Sequence, residues 1–381
     1  MNAKQTCVRS LWTITALFLL PLAVWGYSSA SDWLARPAAE LAGLTLGQVG
    51  MGGTDTEPQS RGLLTAAPVS FGCTDIEAAP EEIQQRGSEP VGIETARPSA
   101  EVLALEPYPE DQDTRSGAVE KVHLGSYSGS QFFDLDTAGQ VRNGTHYSNA
   151  ALLAESRLEP AFSMAYTEGE PLVLIYHTHT TESYEPADRD FYDSSFKSRT
   201  TDPEKSVCEV GERICRELEK AGIPYIHDTL VHDLPSYNAA YDSSRKTVKE
   251  LLAQYPSIKI VLDIHRDAIQ RSDGTRLSPT AEIDGRDAAQ IMIISGCDDG
   301  TMGMPEHLKN FRFAAALQGE LESRYPGLTR PILFDYRHYN QDLTTGSLLI
   351  EVGSHGNSLE QAFYAGELIG RGLAEMIRER Q

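Results

Sequence analysis

From Pro171 onward, short apolar runs alternate with stretches whose apolar residues recur at helical spacing. Leu172–Tyr176 (LVLIY), Lys259–His265 (KIVLDIH), Gln290–Ser295 (QIMIIS) and Ser347–Gly353 (SLLIEVG) have strand length and continuous apolar character. That is the pattern of strands covered on both faces. Val207, Val210, Ile214 and Leu218 form one stripe of a helix that opens at Asp202-Pro203 and closes at Ala221-Gly222. Ser244–Gln254, Leu308–Arg324 and Ser358–Arg380 predict three more helices, and Tyr225-Ile226 a weak strand. Thr275–Asp287 reads as a hairpin arm turning at Asp284-Gly285. The alternation predicts an α/β fold, a mixed or mostly parallel sheet with helices on both faces.

The N-terminal part has none of this periodicity. Lys4 and Arg9 precede an uncharged run, Leu11–Tyr27, with Trp12, Trp25 and Tyr27 near its ends. The flanking aromatics favour a retained membrane anchor, and Ser28-Ser29-Ala30-Ser31 offers a cleavage site should the segment act as a signal peptide. Either way the rest of the chain lies on the extracytoplasmic side. Gly47–Gly53 is glycine-rich, and Pro80, Pro90, Pro98, Pro107 and Pro109 interrupt a stretch from Thr74 to Glu120 holding twelve acidic and three basic residues. Such a chain reads as a solvated tether. The expected layout is a signal-anchor and juxtamembrane segment over 1–45, an acidic Pro/Gly-rich linker over 46–115, a small ordered extension over 116–170, and the catalytic domain over 171–381.

Net charge sharpens the picture by exclusion. With 33 Lys+Arg against 55 Asp+Glu, the formal charge is −22, which argues against a nucleic-acid footprint. The five cysteines form no CxxC pair, and Cys208, Cys215 and Cys297 read as small buried thiols. Asn143-Gly144-Thr145 matches a glycosylation sequon but is better explained as an Asn-Gly turn. His227, His232, His307, His338 and His355 read as ordinary surface or packing residues.

The candidate chemistry sits at the strand ends. His177, His179 and Glu182 follow the first strand, His265 ends the second, and Glu351 lies inside the last. In open α/β sheets ligands bind beyond the carboxyl ends of strands, so these residues should converge. His177 and His179 share a face if the strand continues. Imidazoles plus a carboxylate are the ligand set of a catalytic zinc site with an open position for water, and a further carboxylate nearby takes the proton of that water. The bland alternatives are a Glu351 paired with Arg266 or Arg337, a capped core His265, and a Glu182 exposed on its loop.

The segments LVLIYHTHTTESY, VLDIHRD, PGLTRPILFDYRHYNQDL and SLLIEVGSHGNSLEQA resemble, in order and from about residue 170 to 375, the stage II sporulation protein P family. The resemblance implies a membrane-anchored peptidoglycan hydrolase active during engulfment, located in the intermembrane space. It would cut the amide between N-acetylmuramic acid and L-alanine, and peptide cross-links as well. It also implies a zinc amidase-like fold, with stage II sporulation protein D and stage II sporulation protein M as partners. By the same resemblance Zn²⁺ falls on His179 and His265 and the catalytic glutamate on Glu351. His177 would orient a ligand or steady the oxyanion. The remaining metal carboxylate is Glu182, with Glu204 and Glu209 as alternatives at the start of the following helix. Asn340, Gln341 and Asp342 would contact substrate or order a loop. HTHTTE also resembles the HxHxDH of metallo-β-lactamase-like enzymes superficially, without the Asp-His that should follow. A non-catalytic wall-binding or scaffold protein of the same fold is the rival from outside enzymes.

Overall fold

A computed structural model describes residues 114–381 and the backbone of one strand, Gly92–Glu94. The apolar run Leu11–Tyr27 and most of the expected linker lie outside the described residues. Among the described helices none is long and apolar enough to cross a membrane.

The strands are β1 (Gly92–Glu94), β2 (Gly117–Val122), β3 (Phe132–Asp134), β4 (Gln140–Asn143), β5 (Val173–Tyr176), β6 (Phe191–Tyr192), β7 (Tyr225–His227), β8 (Ile260–Asp267), β9 (Arg276–Ile283), β10 (Arg286–Ala289), β11 (Ile291–Cys297), β12 (Ile332–Tyr336) and β13 (Ser347–Ser354). The helices are α1 (Asn149–Ser156), α2 (Val207–Lys220), α3 (Ala240–Gln254), α4 (His307–Arg324) and α5 (Leu359–Glu379). Among these, nine strands make one sheet in the order β1-β7-β5-β8-β13-β11-β12-β4-β3, and β10-β9-β2-β6 make a second. Strands β1, β7, β5, β8 and β13 run parallel, β11 pairs antiparallel to β13, and β12 and β4 follow β11 in parallel. The large sheet is therefore mixed, as the alternation predicts.

Three differences from the sequence-based expectation have physical causes. Asp202-Pro203 opens a short 3-10 turn, Pro203–Lys205, and α2 begins one step later on its own cap, Ser206, whose hydroxyl accepts from Cys208 N–H. Within the expected linker, Gly92–Glu94 adds a strand beside β7, which needs only backbone groups to pair and so carries no apolar pattern of its own. The 116–170 segment supplies β4 and β3 to the edge of the large sheet and β2 to the centre of the second. There Asn143 does build a turn: its side-chain oxygen accepts from Thr145 N–H while its amide donates to the Tyr147 carbonyl.

The two faces of the large sheet are covered unequally. Val173, Ile175, Leu262, Ile264, Ile293 and Ile350 pack with α2, α4 and α5 in the main core. On the other face α3 brings Val248 and Leu251 over Leu174, Tyr176, Ile226 and Val261. Farther along that face, Met292, Ile294, Leu333 and Leu349 pack with Tyr339, and no helix contributes to this cluster. The three described C-terminal cysteines are buried and free, and burial lifts the Cys208 and Cys297 thiols to about 12.

Helices α2 and α5 approach closely because α5 presents Gly366 and Gly370, one turn apart, toward Val210 and Ile214. A Cβ on Gly370 would stand 2.8 Å from the Ile214 carbonyl, a backbone atom that cannot swing aside. Gly370→Ala should therefore lower stability by about 1–3 kcal/mol despite its better helix propensity. Urea unfolding would read this as an earlier midpoint, and an unchanged midpoint would mean the helices are less tightly seated than described.

Candidate active site

Strand β8 turns Leu262 and Ile264 into the main core, so Asp263 and His265 project from the opposite face. Strand β13 runs parallel beside it in a register that sets Glu351 next to His265. Gly353, at φ +62°, then allows the irregularity between Glu351 and Ser354, and a Cβ there would meet Asn357 Oδ1 at 2.6 Å. The end of β13 is thus shaped to leave Glu351 partly exposed beside His265.

The turn after β5 separates the two histidines of HTH. The strand stops at Tyr176, Thr180 Oγ1 donates to the His177 carbonyl, and Glu182 N–H donates to the His179 carbonyl. His177 consequently points under α2, where its Nδ1 lies 3.0 Å from the Ile264 carbonyl and its Nε2 3.0 Å from His227 Nε2. Both ring nitrogens are used, and Gly211 is what leaves room for the pair. The expected site role of His177, and the shared face of His177 and His179, are corrected here: the strand ends too early to carry the alternation past Tyr176.

His179 takes the other side. Its ring stacks on Tyr237 at 4.0 Å between centroids and 5° between planes, and stands edge-on to His265 at 5.2 Å. Burial lowers its pKa to about 3, so the ring is neutral, and Nδ1 is buried without a hydrogen-bond partner. Glu182 is only 5% exposed, which sets aside the exposed-loop alternative. It accepts from Arg266 N–H at 3.2 Å and lies 3.6 Å from His265 Nδ1. Burial alone would raise its pKa, but the Arg266 guanidinium and His265 outweigh that and hold the carboxyl well below its usual range. Of the alternatives, Glu204 is exposed and Glu209 pairs with Arg213 and Arg216.

His265 sits between two carboxylates. Its Nε2 is 2.8 Å from Asp263 Oδ1, an ion-pair distance without hydrogen-bond alignment, and Asp263 itself is fixed by Thr178 N–H and Oγ1. Burial pulls the imidazole pKa down, and Asp263 with Glu182 overcomes it and holds the ring well above its ordinary value. Glu351 is partly exposed, while its Oε2 is sealed and unpartnered. Burial first, then the carboxylate of Asp267, raises its pKa to about 8 against the pull of His265. Neither Arg266 nor Arg337 pairs with it: Arg266 donates to the Ser183 and Ser198 carbonyls, and Arg337 pairs with Asp335.

Several contributors escape a motif-based reading. Asp263 precedes His265 by two in VLDIH, a period-two signal that marks them as same-face neighbours. Tyr237, Tyr241 and Arg199 carry no comparable sequence signal; Arg199 bridges Asp233 at 2.8 Å and lies over the Tyr237 ring. Asn340, Gln341 and Asp342 order their loop: Asn340 Nδ2 donates to the Tyr241 carbonyl, Gln341 bonds both Gly296 N–H and the Ile294 carbonyl, and Asp342 pairs with Arg245. His227 and His232 are buried and paired, His232 with Asp228 at 3.0 Å.

The family model described as Stage II sporulation protein P (SpoIIP) matches residues 93–374. The chain belongs to the stage II sporulation protein P family. It is 31% identical over 221 residues to stage II sporulation protein P of Bacillus subtilis (strain 168), covering 55% of this chain and 52% of that one. The chain thus spans about half the length of that curated relative. Solved structures with some likeness are the N-acetylmuramoyl-L-alanine amidase AmiC2 of Nostoc punctiforme (TM-score 0.33, 12% identity, 56% of this chain and 98% of that one) and the CwlD amidase from Clostridioides difficile in complex with the GerS lipoprotein (0.35, 14%, 55% and 98%). Ami1 from Mycobacterium smegmatis is comparable (0.33, 14%, 56% and 100%). At these scores the likeness bears on no individual residue.

In this SpoIIP-family chain, no three His, Cys, Asp or Glu side chains among the described residues stand together at metal-holding distances. By chemistry, however, His179, His265 and Glu182 fit a zinc ion. They offer a neutral imidazole with an orphaned buried nitrogen, a second imidazole backed by Asp263, and an ionised carboxylate. Metal-binding imidazoles commonly hand their other nitrogen to a carboxylate in this way.

The raised Glu351 pKa also has a stability consequence. Between the unfolded carboxyl value near 4.5 and about 8 the folded state binds the extra proton, so stability contributed at low pH is lost as pH rises through that window. Glu351→Gln removes the effect. In metal-free protein its melting temperature should gain on wild type by a few degrees between pH 4 and pH 8, and a gap that stays constant or narrows would contradict the raised pKa.

Proposed function

We propose that this chain is a peptidoglycan hydrolase of sporulation that cleaves the N-acetylmuramoyl-L-alanine amide, and peptide cross-links in addition. The observation that carries the reading is the register of β8 against β13. It places a partly open, unpartnered carboxyl, Glu351, beside the imidazole of His265 and near His179 and Glu182. Family membership supports the substrate class.

Zinc, bound by His179, His265 and Glu182, would supply a polarised carbonyl and an acidified water. The chain's own residues do the rest. Glu351 takes the proton of the attacking water on its carboxylate and returns it to the leaving amine nitrogen. A carboxyl poised near neutrality suits both halves of that exchange. Asp263 fixes the orientation of His265, and Tyr237 stacked on His179 fixes that ring and shields it from water. Leu11–Tyr27 would anchor the enzyme in the membrane with its site on the extracytoplasmic side, in the intermembrane space during engulfment. Stage II sporulation protein D and stage II sporulation protein M are the partners the family suggests.

The test is mass spectrometry of material released from purified sacculi by the full chain, with and without a chelator. Wild type should release peptides with a free N-terminal L-alanine, stop when chelated, and recover when zinc is returned. Glu351→Gln should slow release by about 10²- to 10⁴-fold while zinc content stays the same. His265→Ala should lose bound zinc by metal analysis. Undiminished release by Glu351→Gln would falsify the assignment, and unchanged zinc in His265→Ala would remove that residue from the metal site.

A further inference from the structure

Two arginines of the large sheet's neighbourhood, Arg330 and Arg142, have guanidinium groups that the proposed chemistry does not use. Arg330 is 3% exposed; Nη1 pairs with Asp267 at 2.9 Å, but its Nε and Nη2 are buried without hydrogen-bond partners. Asp267 stands two residues beyond His265 on β8, and His265 is level with Glu351 on β13, so this pair lies toward the Glu351 end of the sheet. Arg142, on β4, is half-buried, and its guanidinium makes no hydrogen bond or ion pair among the described residues, although the charge of Asp335 acts on it.

The sheet register places Arg142 on the same face as Glu351. Glu351 and Leu349 are two apart on β13, Leu349 is level with Ile294 on β11, Ile294 with Leu333 on β12, and Leu333 with Arg142 on β4. Three strand spacings separate β13 from β4, about 14 Å. Phe132 of β3 lies level with Arg142 and stacks on Tyr127 at 5.2 Å. Tyr127 N–H donates to Oε1 of Gln140, two residues before Arg142 on β4, and the Gln140 and Arg330 carbonyls both accept from the Gln318 amide, so the three residues share one neighbourhood.

We infer that Arg330 and Arg142, with the Tyr127 hydroxyl, form a carboxylate-binding subsite that holds the acidic peptide portion of the substrate while Glu351 works on the amide. A buried guanidinium with idle donors is costly unless an anion completes it, and its planar fork matches the two oxygens of a carboxylate. Charge complementarity selects the occupant. The peptide side of the proposed substrate bears free carboxylates, and the strip between Glu351 and Arg142, made of Met292, Ile294, Leu333 and Leu349, is apolar. The inference rests on the hydrolase reading, which supplies the substrate.

The test uses the full chain carrying Glu351→Gln, so that ligand is not turned over. The probes are the purified disaccharide-pentapeptide with free carboxylates and the same molecule with its carboxylates amidated. Calorimetric titration should show the acidic probe binding about tenfold tighter than the amidated one, with the margin shrinking as salt rises. Adding Arg142→Gln should erase the margin and leave affinity for the amidated probe unchanged. Because removing Arg330 outright strands Asp267, Arg330→Lys is the second variant: it keeps a cation for Asp267, deletes the free edge, and should also erase the margin. Thermal melting checks that both remain folded. Equal affinity for the two probes in the parent, or a margin that survives Arg142→Gln in a folded protein, overturns the subsite. If wild type releases nothing from sacculi yet the margin is present, the hydrolase reading fails and the subsite stands. No binding of either probe overturns both.

Discussion

The site depends on burying a chain of alternating charges at the end of one strand. Asp263, His265, Glu182 and Arg266 are all nearly sealed from solvent, and any one of them alone would cost several kcal/mol to desolvate. They are tolerable only together. Thr178 fixes Asp263, Asp263 faces His265, His265 faces Glu182, and Glu182 accepts from Arg266. Arg266 then spends its side-chain donors on the carbonyls of Ser183 and Ser198. This links β8 to the loop after β5, although 85 residues separate Thr178 from its partner Asp263. Those contacts bring His179 and Glu182 to His265, so positioning the candidate ligands and neutralising the buried charges are the same structural act. An imidazole held protonated between two carboxylates also marks a place where positive charge is favoured, and a compact cation can take up what the proton now supplies.

What the sequence made legible follows the strength of local signals. Continuous apolar runs marked β5, β8, β11 and β13 to within two residues at each end, because a strand buried on both faces has no polar position to blur it. His265 and Glu351 were legible for the related reason that an ionisable residue in such a run has few places to go. Strand β12 escaped as an element of its own, its apolar core being only Ile332–Phe334, and β2 to β4 escaped because edge and second-sheet strands carry weak or alternating patterns. His177 misled for a sharper reason. Period-two reasoning holds only while the backbone stays extended, and a side-chain hydrogen bond from Thr180 to the His177 carbonyl helps turn the chain just where the inference needed it straight. The stacking of Tyr237 on His179 was invisible because the two residues are 58 positions apart in the chain and nothing local marks either as the other's partner.

Charge distribution ties the fold to the kind of ligand it can accept. A chain carrying −22 repels an anionic polymer at long range. At physiological ionic strength that repulsion fades within about 8 Å, the Debye length, whereas buried pairs are screened far less. Global charge therefore governs encounter, and the few cations inside the cleft govern what stays. Most arginines of the domain are already committed: Arg266 to Glu182 and two carbonyls, Arg276 to Glu185, Arg245 to Asp342, Arg199 to Asp233. Arg330 and Arg142 stand apart: Arg330 spends Nη1 on Asp267 but leaves Nε and Nη2 without partners, and no side-chain hydrogen bond or ion pair engages the Arg142 guanidinium among the described residues. An acidic protein that discriminates by a few unspent donors in a desolvated cleft rejects bulk polyanion on approach and still rewards one correctly placed carboxylate. That division between approach and retention would also give the proposed membrane anchor and partner proteins a physical role, since a tether raises local concentration without needing attraction between domain and wall.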